Sequence, residues 1–143
     1  MDYTWIIFAL LSAVFAALVA IFGKMGLQGI DSTTATTIRA IIMAAFLIGV
    51  IFFEGKFNLV GKIVSNSEAL KFIALSGIAG ALSWLFYFLA LKSGSVSQVA
   101  PIDRMSVVFA LILAVLFLGE KVSIQIAAGA ALMVVGAVLV ALG

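Results

Sequence analysis

Hydrophobic and polar positions fall into long blocks along this chain. Five apolar runs stand between short polar stretches, at about residues 4–22 (TM1), 33–53 (TM2), 70–91 (TM3), 96–118 (TM4) and 124–142 (TM5). At a rise of 1.5 Å per residue, about 20 helical residues cross the roughly 30 Å hydrocarbon core of a bilayer. The pattern predicts five transmembrane helices, because soluble core helices are rarely so long and so uniformly apolar.

Composition agrees with this prediction. Of the 143 residues, 66% are hydrophobic and only 10% are charged, and the mean hydropathy is +1.38. Soluble domains carry about 25% charged residues. We therefore expect an all-α, polytopic membrane protein with a single membrane domain over residues 1–143, located as a multi-pass protein in the cell (plasma) membrane. Five spans with short loops leave no length for a soluble domain.

Three ionisable residues interrupt the apolar runs. Arg39 lies about six residues inside TM2, and Asp103 and Arg104 lie side by side in TM4. A charge in a span costs roughly 2.5–3.5 kcal/mol on insertion scales, so it persists mainly when it is paired, hydrated or functional. Two interpretations of Arg39 stay open. It snorkels to the headgroups of its own leaflet, or it turns inward to bind an anion or a carboxylate.

TM2 and TM4 enter the membrane from the same side, so their charged residues lie at similar depths. Neighbouring residues on a helix point about 100° apart, so Asp103 and Arg104 pair poorly with each other. We expect Asp103 to pair with Arg39, which leaves Arg104 to water, a lipid phosphate or a substrate.

TM4 holds the only proline of the chain. Pro101 has no N–H for the carbonyl of Ser97, which predicts a kink or a late helix start. Gln98 and Ser106 can satisfy backbone groups that the proline frees, or they can face a cavity.

TM3 carries an aromatic cluster that includes Trp84 and Tyr87. These side chains fit an interfacial aromatic belt, and they also fit the wall of a pocket for a planar or cationic substrate. In TM5, Gly129 and Gly136 lie near one stripe, which predicts close packing of another helix, either within the protomer or between two copies.

The chain lacks the residue types that several kinds of catalytic and metal-binding site require. The chain has no cysteine and no histidine, which removes disulfides, thiolate metal sites and the commonest general base. It also lacks a nucleophile–base constellation, a metal-ligand cluster and a nucleotide-binding glycine motif. The basic residues are scattered singly, so the pI near 9.2 does not indicate nucleic acid binding. We expect neither enzyme activity nor a cofactor.

Several segments together resemble one repeat of the EamA family in the drug/metabolite transporter superfamily. They are TTIRAIIMAA in TM2, GALSWLFYFLAL in TM3, VAPIDRMSVVF in TM4, and LGEK before the glycine-rich TM5. Full-length members of the superfamily carry two five-span halves of opposite orientation in ten spans. The resemblance therefore implies a half-size member that needs a second half.

The resemblance implies a secondary transporter of small metabolites or drug-like solutes that works by alternating access. On that interpretation the substrate contacts are Arg39, Asp103, Arg104, Trp84, Tyr87, Gln98 and Ser106. Smaller multidrug relatives couple transport to protons through a glutamate in TM1, which this chain does not have. Asp103 is the one interior carboxylate able to carry a proton.

The odd number of spans and the charges of the loops indicate how a second half would be supplied. Five spans put the two termini on opposite sides, and repeat-built transporters hold the substrate where two inverted repeats meet. Four lysines flank the loops on the N-terminal side; Lys24, Lys92 and the shallow Arg39 and Arg104 balance them on the other. Because the basic residues are divided evenly between the two sides, the chain is predicted to insert in both orientations and to form an antiparallel homodimer in the lipid bilayer. The alternatives are a separate partner half, a passive or lipid-handling facilitator, and a non-transporting membrane subunit.

Overall fold

The structure is a computed structural model, and it describes residues 3–143. The chain is 86% helical, and the described residues contain no strand. Five helices of the described part are long and apolar enough to cross a membrane: Thr4–Gly26, Ser32–Phe53, Ser67–Ser93, Val96–Leu118 and Ile124–Leu142. The predicted all-α fold with five spans is confirmed.

The elements follow in order as α1 (Thr4–Gly26), α2 (Ser32–Phe53), α3 (Phe57–Ser65), α4 (Ser67–Ser93), α5 (Val96–Asp103), α6 (Ser106–Leu113), a π-helical turn (Ala114–Leu118) and α7 (Ile124–Leu142). TM1, TM2, TM3 and TM5 are thus α1, α2, α4 and α7, and TM4 is built from α5, α6 and the π-helical turn. The helices α1 and α4 run past their predicted ends, because a helix continues beyond the bilayer until a turn or a cap stops it.

The chain divides into two compact units. One unit is residues 25–92, which hold α2, α3 and α4, and the other joins the chain up to Lys24 with residues 93–143. We call them the α2–α4 unit and the α1/α5–α7 unit.

In the α2–α4 unit, both membrane helices start from side-chain caps. The carboxylate of Asp31 accepts the backbone N–H of Thr34 at 2.8 Å and the Thr34 hydroxyl at 2.9 Å. The Asn66 side chain accepts the N–H of Ala69 at 3.1 Å, in the first turn of α4. These bonds satisfy backbone donors that the start of a helix leaves without partners.

The short helix α3 links α2 to α4 and is amphipathic. Its apolar side chains are exposed in the protomer: Phe57, Leu59, Val60, Ile63 and Val64. Lys62 lies in its last turn, and Lys56 just before it forms an ion pair with Glu54 at 2.8 Å. Such a helix fits the plane of the membrane surface, with its apolar side toward the lipid tails.

In the α1/α5–α7 unit, α5 packs against α7. The Lys24 ammonium donates to the carbonyl of Gly94 at 2.9 Å, which ties the end of α1 to the turn before α5. That turn ends in a capping box, in which Ser95 accepts the N–H of Gln98 and Gln98 accepts the N–H of Ser95.

TM4 is interrupted at Arg104 and Met105, shortly after Pro101. Around the break the backbone bonds shorten to a three-residue spacing, from Met105 N–H to Ile102 and from Val107 N–H to Arg104. The span ends at Gly119, whose φ of +66° is in the left-handed region that favours glycine. TM4 is therefore two short helices joined by a tightened turn.

Little of the apolar surface is buried inside the protomer. In each of the five spans, at most 6% of the most apolar window is buried. The buried apolar side chains of the described residues are Ala20, Leu27, Phe88, Leu91 and Ala137. The spans therefore leave most of their apolar surface to lipid or to another chain.

The Asp31 cap gives a testable prediction for stability. The backbone N–H and hydroxyl of Thr34 hold the pKa of Asp31 below its usual value of 3.8. A lowered pKa stabilises the folded state above the unfolded pKa, and this stabilisation disappears as the pH falls through the folded pKa. In thermal melts followed by circular dichroism, Asp31→Ala should unfold at a lower temperature than the parent at neutral pH.

Asp31→Asn serves as the control, because it keeps a cap acceptor without a titrating charge. The margin of the parent over this variant should shrink toward zero in acid. A margin that stays constant from neutral pH into acid would contradict the role of the carboxylate.

Candidate substrate-binding site

Arg39 lies against the aromatic side chains of α4. Its guanidinium carbon is 3.4 Å from the centroid of the Trp84 ring and 4.9 Å from that of Phe88. Its Nη2 also donates to the sulfur of Met43 at 3.3 Å. The side chain is half-buried and packs on α4 within the α2–α4 unit.

Helical spacing explains this arrangement. Arg39 and Met43 are four residues apart on α2, and Trp84 and Phe88 are four residues apart on α4. Residues at this spacing share one face of a helix, so a single face of α2 meets a single face of α4. We call Trp84, Tyr87 and Phe88 the aromatic cluster.

The aromatic cluster is held together by its own ring contacts. Trp84 and Phe88 stack with centroids 5.9 Å apart and an interplanar angle of 26°. Tyr87 meets both rings edge-on, at 6.2 Å from Trp84 and 5.9 Å from Phe88. Phe88 is only 3% exposed, so the cluster is anchored in the protein on that side. Stacked and edge-on rings of this kind hold their geometry.

The ring contacts lower the cost of a charge in the membrane. An arginine in a span costs roughly 2.5–3.5 kcal/mol on insertion scales, and a cation–π contact of a half-buried arginine stabilises by about 0.5–2 kcal/mol. The contact therefore offsets part of this cost. This geometry favours the inward interpretation of Arg39 over snorkelling.

Arg39 also keeps an unused donor. Its Nη1 is buried and has no hydrogen-bond acceptor among the described residues, and the buried hydroxyl of Ser32 also has no partner there. Buried polar groups are normally hydrogen-bonded, so the missing acceptor at Nη1 needs an explanation. Nη1 is a donor for an anionic or carbonyl oxygen once a neighbouring side chain moves aside, because the atom itself is buried.

A cavity of about 670 Å³ adjoins this arginine. It lies between α2 and α4, within one unit, and its volume is in the range of small-molecule sites. Its lining includes Thr36, Thr37, Arg39, Met43, Leu47 and Trp84.

The predicted contacts in TM4 belong to the other unit. Asp103 is half-buried at the end of α5, Arg104 is exposed within the break, and Ser106 is exposed at the start of α6. The side chain of Gln98 is engaged in the capping box with Ser95. The substrate contacts expected of these four TM4 residues stay predictions, and so does the ion pair of Asp103 with Arg39, which would join the two units.

Pro101 and the glycines of α7 also have definite places. Pro101 lies inside α5, ahead of the break. A Cβ built on Gly129 or Gly136 meets no atom within 4 Å. Neither glycine is therefore a close-approach position inside the described protomer.

Two side chains that contact Arg39 were absent from the predicted site, Phe88 and Met43. Each lies one helical turn beyond a residue that was predicted, Phe88 after Trp84 and Met43 after Arg39. The four-residue spacing was the signal that would have found them.

Five apolar helices, with a guanidinium and a tryptophan ring lining a cavity between two of them, define a polytopic membrane protein with a candidate solute site. Residues 3–142 match the EamA-like transporter family, and the chain belongs to this family. It is similar to an "Uncharacterized transporter in cobO 3'region" from a Sinorhizobium species, with 41% identity over 141 residues that cover 99% of each chain. No solved structure matches.

These comparisons confirm the EamA resemblance and a transporter role. The match covers the relative over 99% of its own length. The chain is a multi-pass integral membrane protein, and the plasma membrane is typical for this family.

The contact between Arg39 and Trp84 is testable with a double-mutant cycle. Arg39→Met and Trp84→Leu, alone and together, should give a coupling free energy of about 0.5–2 kcal/mol in reversible unfolding in mixed micelles. Met43→Leu serves as a control for altered packing next to the arginine. A coupling energy of zero within error would contradict the cation–π contact.

Proposed function

We propose that the protein is a secondary transporter of small metabolites or drug-like solutes, working as an antiparallel dimer of five-helix halves. The observation that carries this proposal is the match of one five-span repeat to the family over residues 3–142. In transporters of this design the substrate lies where two inverted repeats meet, so one repeat needs a second.

The surface of the protomer supports a second copy. The spans bury little of their apolar surface, and the glycine face of α7 is open around Gly129 and Gly136. Small residues let the backbones of membrane helices approach closely. The even distribution of basic residues between the two sides supports insertion in both orientations.

The interrupted TM4 supports alternating access. Its break at Arg104 and Met105 lies beside the predicted charged contacts, and broken helices in transporters lie where substrates bind and where halves move. Rocking of one half against the other then exposes the solute to each side of the membrane in turn. Asp103 is the carboxylate that would carry a proton in this cycle.

Dual topology is testable with single cysteines, because the chain contains none. Ser67→Cys and Ser93→Cys place a thiol at the two ends of α4, and both positions are exposed. A membrane-impermeant maleimide applied to intact cells should label about half of each variant, if the copies insert both ways.

Each cysteine variant is the control for the other, because the two thiols lie at opposite ends of one span. Native mass spectrometry of the unlabelled protein should give twice the 14.9 kDa chain mass. Full labelling of one variant with protection of the other would refute the antiparallel homodimer, and so would a single-chain mass.

A further inference from the structure

The cavity between α2 and α4 has an electrostatic polarity. Among its lining residues Arg39 is the charged one, and the others are threonines, a tryptophan and apolar or small residues. A positive group in a site of low dielectric attracts anions and repels cations more strongly than it does in water.

Two of the three threonine hydroxyls that line the polar end of the cavity already donate to backbone carbonyls. Thr36 donates to the carbonyl of Ser32 at 2.8 Å, and Thr37 donates to that of Thr33 at 2.9 Å. The two threonines closest in sequence to Arg39 therefore offer no free proton, and the charged donor for an anion here is the buried Nη1 of Arg39.

The polar and apolar parts of the lining follow one another along α2. The lining threonines and Arg39 come first, and Met43, Ala44 and Leu47 follow. Residues 33 and 47 are separated by about 20 Å at the helical rise. The lining thus suits a ligand with a charged head near Arg39 and an apolar body that extends deeper along α2.

The aromatic cluster does not suit a cationic ligand. The guanidinium of Arg39 already covers the Trp84 ring at 3.4 Å, so this ring face is occupied by a cation of the chain itself. An organic cation would meet both a blocked ring and a like charge. The pocket interpretation of Trp84 stays a prediction, and this geometry favours an anionic ligand for it over a cationic one.

We propose that this cavity binds an amphipathic organic anion, with its anionic group on Nη1 of Arg39 and its apolar body along the deeper lining. The inference rests on the proposed transport function and names its substrate class. The anion is a free organic acid or the phosphate head of an anionic lipid, which share this chemistry. Because Nη1 is buried, binding requires a neighbouring side chain to move, and the candidate is Met43, an unbranched and flexible side chain that contacts Nη2.

Trp84 itself serves as the reporter of binding. The chain has two tryptophans, so Trp5→Phe leaves Trp84 as the sole one. In this background, reconstituted in phosphatidylcholine nanodiscs, the protein is titrated with 3-phenylpropionate, 3-phenylpropan-1-ol and 3-phenylpropylamine. The three probes carry the same apolar body and differ in charge.

The anion should change the Trp84 emission saturably, and the alcohol and the amine should bind at least about tenfold more weakly. Arg39→Met should weaken the anion by a similar factor, and Arg39→Lys should keep the preference for the anion at lower affinity. Lys71→Met is the matched control, because it removes one positive charge from an exposed position on α4 outside the cavity lining. It should bind like the parent.

Nanodiscs that contain phosphatidylglycerol identify the source of the anion. The negative surface of these nanodiscs raises the apparent Kd for 3-phenylpropionate in every variant, so Arg39→Met gives the baseline. If a lipid phosphate occupies the cavity, the Kd rises more in the parent than in Arg39→Met. If the anion is a free organic acid, the two rise by the same factor.

Tighter binding of the amine than of the anion would overturn the inference. Equal anion binding by the parent and a folded Arg39→Met or Arg39→Lys variant would overturn it as well. This readout needs no transport, so it is independent of the topology experiment. If the anion does not bind but both cysteine variants are labelled by half, the anion inference fails and the dimer proposal stands. If the anion binds but labelling is confined to one variant, the dimer proposal fails and the anion inference stands.

Discussion

The contact of the Arg39 guanidinium with Trp84 is the interaction on which the candidate site depends. Arg39 is the one charged residue of α2, and its guanidinium stacks on the Trp84 ring of α4. The contact sets the pairing of these two helix faces. It also gives the adjoining cavity its positive end, and it leaves Nη1 without an acceptor in the described protein.

The remaining structure fits a protein that is completed by a second chain. The helices satisfy their own backbone groups, as membrane spans must, and bury little apolar surface in the protomer. Side-chain caps fix where the spans begin, at Asp31 and Ser95 among others. In the proposal of a paired transporter, the TM4 break serves the movement between the two access states, and the glycine face of α7 serves association with the second copy.

Local features of the fold were predictable, because length and hydropathy decide whether a helix crosses a bilayer. The five spans and the amphipathic segment at α3 follow from such patterns. The sequence also contained a readable signal that was not used: Ser95 and Gln98 have the spacing of a capping box, and the structure engages Gln98 in it.

The partners of Arg39 were harder to predict. Depth in the membrane follows from counting residues, and it suggested Asp103 as a partner. The direction in which a side chain leaves its helix depends on packing, which a single sequence does not give. The structure supplied Trp84 and Phe88 as contacts, and the donor left on Nη1 only emerged from the geometry.

The most direct test of this account is the magnetic resonance of the Arg39 side chain in lipid. The chain has two arginines, so an Arg104→Lys variant labelled with ¹⁵N-arginine gives the signals of Arg39 alone. The account predicts guanidinium protons shifted upfield by the Trp84 ring, with exchange into D₂O slowed at Nη1. Unshifted signals that exchange as fast as those of a solvated arginine would contradict it.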